Sequence, residues 1–156
     1  MSTRQAVGTI LKAGLIAGTC DAIAASLQFL IMVGKNPIVV WYYVASAALG
    51  RDPDPGPMTA VAGLFFHYCI ATSWAALFYV IYPTVTRYSK NWIANGLGYA
   101  VFVWLVMNLV VVPSSKIGSF PRSAKGVIIG AAILMLCIGL PISYIIDRHR
   151  RVQAPT

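Results

Sequence analysis

Charged side chains are scarce in this chain: Asp, Glu, Lys and Arg together make up 10% of its 156 residues, and only four of them are acidic. With 58% hydrophobic residues and a mean hydropathy of +0.74, the chain has too much apolar surface for a soluble domain of its size and falls among membrane proteins. Catalytic signatures are missing as well. There is no GxSxG, HExxH, P-loop or pair of carboxylates at a mouth, which argues against an enzyme. The hydroxyls of Ser26, Thr72 and Ser73 are read as bonded to their own helix backbone. No CxxC pair and no cluster of His with Cys occurs, so neither a zinc site nor c-type haem is supported, and no metal or cofactor is expected. Cys20, Cys69 and Cys137 fall in three different apolar spans, away from an oxidising aqueous face, and read as small buried apolar groups.

What the chain does have is four apolar windows, roughly 7–33, 58–82, 92–112 and 124–146, each long enough to meet the need for about 20 residues to cross a hydrocarbon layer. They predict an all-α, single-domain integral membrane four-helix bundle over residues 1–156. Arg4 ahead of an alanine-rich apolar stretch looks like a signal peptide, but the run is too long, and an uncleaved first helix is expected. A fifth apolar core at 37–49, in "NPIVVWYYVASAALG", is too short to cross. Asn36 and Pro37 make a good helix start and Gly50 a good stop. The rings of Trp41, Tyr42 and Tyr43 favour the headgroup level, which predicts a short interfacial or re-entrant helix. The "RDPDPGP" that follows reads as an aqueous loop.

A net charge of +8 would point to nucleic acid in a soluble protein, but here the basic residues lie in short loops and tails, where they set orientation. With four spans, Arg4, Lys12, Arg87, Lys90, Arg148, Arg150 and Arg151 share one side, against Lys35, Arg51, Lys116, Arg122 and Lys125. That is seven against five, and it places both termini in the cytoplasm. Were residues 37–49 to cross, the split would be six against six. Arg148, Arg150 and Arg151, in "DRHRR", suit both a helix C-terminus and anionic headgroups and are read as an interfacial anchor. The loop "PSSKIGSFPRSAK", broken by Pro113 and Pro121, is either an ordinary solvated loop or a contact for anionic lipid or an acidic partner. Pro141 in "GLPISY" predicts a bend or a freed carbonyl.

At about 100° per residue, Gly14, Gly18, Asp21, Ala25 and Gln28 share one arc of the first helix. Gly126 and Gly130 share an arc of the last with Leu134, Cys137, Pro141 and Tyr144, so these two helices are expected to pack through their glycine faces. Asp21 lies near mid-span, where an ionised carboxylate costs roughly 2.5 to 3.5 kcal/mol and needs a partner or a proton. By rise per residue, Asp21 falls about 1 to 2 Å, His67 about 5 Å and Asn108 about 7 to 8 Å to the outer side of the midplane. A buried polar cluster of Asp21, His67 and Asn108 is therefore expected. Such a cluster serves helix packing, a proton or solute pathway, or ligand or lipid binding. Haem ligation by His67 lacks a facing partner, since His149 is in the basic tail.

The segments "GTCDAIAA", "VASAALG", "GLFFHYCIA" with the later Tyr79, "NGLGY", "MNLVVVP" and "IGLP", in this order from about Gly14 to Tyr144, resemble small multi-pass bacterial inner-membrane proteins of the YagU-like type. The resemblance implies a bacterial plasma-membrane protein with Asp21 and His67 buried, and it implies no reaction. Members carry a further histidine before the GLP, where Leu134, Met135 and Leu136 stand here, which disfavours metal or haem.

The resulting expectation is a non-enzymatic accessory or assembly subunit of a larger membrane complex, contacting lipid and either other subunits or a second copy. A polar tail such as "VQAPT" usually frays, so order there would point to a neighbour. The alternative is a proton-coupled carrier or channel using Asp21 and His67, which without a clear inverted repeat would need to dimerise.

Overall fold

A hydrocarbon layer offers no partner to a backbone N–H or C=O, so apolar runs of this length close their own hydrogen bonds as helices. The structure is a computed structural model and describes residues 3–50, 55–116 and 124–153. The described residues form α1 (Thr3–Val33), the short α2 (Ile38–Leu49), α3 (Pro57–Tyr88), α4 (Trp92–Ser114) and α5 (Lys125–Val152), with no strand among them. α1, α3, α4 and α5 are long and apolar enough to cross a membrane, and α2 is not. The protein is thus an all-α membrane bundle of four spans with one short extra helix. Arg51, Pro121, Arg122, most of the "RDPDPGP" loop and the end of the "VQAPT" tail lie outside the described residues.

Three spans pass through a proline. Pro83 has no N–H for the Tyr79 carbonyl one turn earlier, and Arg150 Nη2 donates to that oxygen instead, at 3.1 Å. This lets α3 run on past residue 82, where the apolar window ends. Ahead of Pro113 and Pro141 the helix widens instead, into π-helical turns at Met107–Val111 and Leu134–Gly139. There the N–H of Val112 reaches the Met107 carbonyl and that of Leu140 reaches Met135, five residues back rather than four.

α1 sits between α3 and α5, α4 packs on α5, and α2 packs on α3, whereas α3 and α4 meet only slightly. Near the end that carries the α1 N-terminus and the arginines of α5, the interior is closed. Ala13 and Ala17 of α1, Phe78 and Tyr82 of α3, Tyr99 and Val103 of α4, and Ile138, Ile142 and Ile146 of α5 fill it. The rings of Phe78 and Tyr99 lie 4.7 Å apart at its centre, and the Tyr99 hydroxyl donates to the Trp74 carbonyl at 2.6 Å.

The glycine faces do not meet as expected. A methyl on Gly14 would fall 2.6 Å from Thr72 Cα, and one on Gly18 would fall 3.0 Å from the Tyr68 ring, so this pair seats α1 on α3 rather than on α5. Gly130 has open space where its side chain would be. Farther along, the extra residue in the π turn of α5 rotates everything beyond by about 100°, so an arc drawn from Gly126 to Tyr144 at constant pitch is not one face. The close backbone contact of α5 is at Gly139, against Gly96 of α4. Cys20 and Cys69 also depart from expectation. Both are exposed on the outer surface of the bundle, and Cys137 is half-buried.

Gly139→Val is expected to force α4 and α5 apart and destabilise the protein by about 1 to 3 kcal/mol, the usual cost of overpacking. Gly130→Ala, by contrast, should change stability by less than about 0.5 kcal/mol. Thermal unfolding in detergent measures both, and equal losses would contradict this packing.

Candidate ligand site

Where α3 and α4 splay, at the end occupied by α2, the bundle encloses a cavity of about 700 Å³ that all five helices line. Asp21, His67 and Asn108 all face it, from α1, α3 and α4. Each is half-buried. The two π turns face it too, through Met107, Asn108, Leu134 and Ile138. Gly126 and Gly130, which the sequence places at a helix contact, line its wall.

His67 is the best-fixed of the three. Its Nε2 lies 2.9 Å from the carbonyl oxygen of Gly18, one turn before Asp21 on α1. A carbonyl only accepts, so Nε2 donates to it, and in the neutral ring Nδ1 carries the lone pair. Tyr68, next along α3, shares a hydrogen bond of 2.9 Å with Thr19, a second tie between the same two helices. On its other side the imidazole meets the edge of Trp41, with ring centroids 5.5 Å apart. Trp41 therefore packs against the bundle through His67. Its carbonyl presses on Gly63, where any side chain would collide, and this seats α2 against α3. Tyr42 is half-buried, while Tyr43 is 46% exposed and also lines the cavity.

Asn108 bonds within its own helix. It sits in the π turn, and its Nδ2 donates to the Trp104 carbonyl of its own helix at 2.6 Å. The widened turn redirects backbone donors, and the amide side chain serves the carbonyl one turn back. Asp21 is within electrostatic reach of His67, yet no hydrogen bond joins Asp21 to His67 or to Asn108 among the described residues. The three groups share one cavity without bonding one another, and the carboxylate keeps its acceptor capacity for whatever enters. No group of three His, Cys, Asp or Glu arranged to hold a metal occurs among the described residues.

α2 forms the cavity's outer wall through Val40, Val44 and Ala47. Its Asn36 side chain accepts from the Ile38 N–H at 3.0 Å, and Gly50 ends it with φ +132°, a value that favours glycine. Past α4, the Lys116 backbone N–H reaches the Ala47 carbonyl at 3.3 Å and Nζ reaches that of Leu49 at 3.5 Å. These contacts tie α2 to α4 across the mouth.

A second polar centre, at the opposite end, has no counterpart in the sequence reading. Asp147 is 6% exposed and accepts from the Tyr82 hydroxyl at 2.7 Å and from Arg151 Nε at 2.7 Å. Arg151 continues to the Lys90 carbonyl at 2.8 Å, and Arg150 lies 4.1 Å over the Tyr79 ring. Arg150 and Arg151 therefore bind protein groups that join α3, α4 and α5. Arg148 is exposed, with its Nη1 3.2 Å from the Tyr144 hydroxyl. The Asp147 to Arg151 spacing of four residues is the signal that would have revealed this centre.

These two acids should respond oppositely to amidation. Asp147→Asn removes the charged acceptor of two bonds and is expected to cost about 1 to 2 kcal/mol. Asp21→Asn loses no bond and is expected to leave the unfolding temperature in detergent unchanged or raised. The reverse order would show that Asp21 is the structural acid. No protein-family model, no curated protein and no solved structure matches this chain.

Proposed function

We propose that this multi-pass membrane protein is a non-enzymatic ligand-binding subunit of a larger membrane assembly, holding a small solute in the cavity through Asp21 and His67. The observation that carries the reading is the cavity itself. It is large enough for a small molecule, largely apolar, and furnished with one carboxylate and one imidazole whose Nδ1 is the free proton site. It is also a dead end, because Phe78, Tyr99, Val103 and Ile138 close the bundle beneath it. A blocked path favours binding over conduction. The proton-coupled carrier or channel is the second reading, favoured by the presence of two titratable groups in one chamber. It requires the aromatic core to open, or a second copy to complete a path. In keeping with the YagU-like resemblance, the setting proposed is a bacterial plasma membrane. Both termini are assigned to the cytoplasm by the balance of basic residues.

Gentle extraction of the full chain from its native membrane, followed by native mass analysis, is expected to show it with a companion subunit in fixed ratio. A clean monomer would overturn the assembly. In proteoliposomes the wild-type chain is expected to move no solute. Flux that Asp21→Asn abolishes would establish the carrier instead.

A further inference from the structure

A separate groove of about 890 Å³ runs along the outside of the bundle between α1 and α5, at the arginine end and away from the ligand cavity. Its rim carries Lys12 from α1 and Arg148 from α5, both exposed. Among the described residues neither cation has an acidic partner. Of the chain's four acidic side chains, Asp21 lies in the ligand cavity, Asp147 is held by Tyr82 and Arg151, and Asp52 and Asp54 lie outside the described residues. His149 also lines the groove, and its Nε2 finds no hydrogen-bond partner among the described residues.

Farther along, the lining becomes apolar, with Ile16, Leu140 and Ile145. Trp92 and Tyr144 flank the groove with ring centroids 5.2 Å apart. Aromatic rings with polar edges at the end of a span are what the headgroup level of a bilayer favours. Pro141 lines the groove as well.

Two exposed cations, with no acidic partner among the described residues, stand above an apolar trough beside an aromatic pair at the end of a span, and this matches one kind of molecule. We propose that this groove is a site for an anionic phospholipid, with its phosphate between Lys12 and Arg148 and its acyl chains along Ile16, Leu140 and Ile145. The chemistry is charge-assisted hydrogen bonding to phosphate oxygens, with Arg148 supplying the planar fork and Lys12 a point charge. The neighbouring arginines of α5 do not compete. Arg150 and Arg151 are turned to Tyr79, Asp147 and Lys90.

Native mass analysis of the full chain in detergent, titrated with phosphatidylglycerol or phosphatidylcholine of matched chains, tests the site. The wild-type chain is expected to retain phosphatidylglycerol about tenfold more strongly. Lys12→Gln with Arg148→Gln should abolish that preference while leaving the unfolding temperature without lipid unchanged. Lys35→Gln, at the opposite end, should leave it intact. Equal retention of the two lipids by the wild type would overturn the proposal, and that measurement needs no variant to fold. So would a preference surviving the double substitution, or equal stabilisation by glycerol phosphate lacking acyl chains.

Discussion

Proline inside a membrane helix withholds a donor that the surrounding lipid cannot replace, and three of the four spans carry one. At Pro83 the answer is electrostatic: Arg150 crosses from α5 to cap the Tyr79 carbonyl and lies on the Tyr79 ring, beside the Asp147, Tyr82 and Arg151 network. At Pro113 and Pro141 a π turn stands immediately upstream, and both π turns line the ligand cavity. One end of the bundle is thus bound tightly, and the helices are widened at the other.

This division gives the molecule two unequal halves. Small residues of α1 let the isoleucines of α5 and the rings of α3 and α4 come together at the arginine end. Beyond Ala71 and Val103 the helices diverge, and α2 covers the opening without filling it. A half-buried carboxylate in such a chamber has access to solvent or ligand, which lowers the cost that an ionised group would meet against acyl chains. Asp147 meets the same problem differently, by bonding to a hydroxyl and a guanidinium. One acid is consumed by structure and the other is left available.

The four spans, the short helix and its caps at Asn36 and Gly50 were legible in sequence, because span length, apolar content and stop signals are local properties. So was the gathering of Asp21, His67 and Asn108 at one depth, which needs only rise per residue. Partner choice was not legible. Arcs computed at constant pitch fail across a π turn, so Pro141 and Tyr144 do not continue the face of Gly126 and Gly130, and the Gly96 to Gly139 contact was hidden. The hydrogen bond of Asn108 to its own helix was not legible either, since the π turn that contains it could not be foreseen. Nor was the contact of Trp41 with His67, which depends on the absence of a side chain at Gly63 that lets α2 dock closely. Asp147 was overlooked because an acid among basic residues at a helix end reads as solvated charge until the fold brings Tyr82 beside it.

The central claim is that the chamber around Asp21 and His67 is wet and open at the α2 end alone. In a chain with Cys20, Cys69 and Cys137 replaced by alanine, Asn108→Cys places a thiol on the cavity wall, while Leu109→Cys places one on the outer surface, where the native side chain is 69% exposed. Thiols react as thiolates, which require water. A membrane-impermeant maleimide is expected to label the first from one side of sealed vesicles and to leave the second untouched. Inert thiols at both positions, or labelling of Asn108→Cys from either side, would contradict the account.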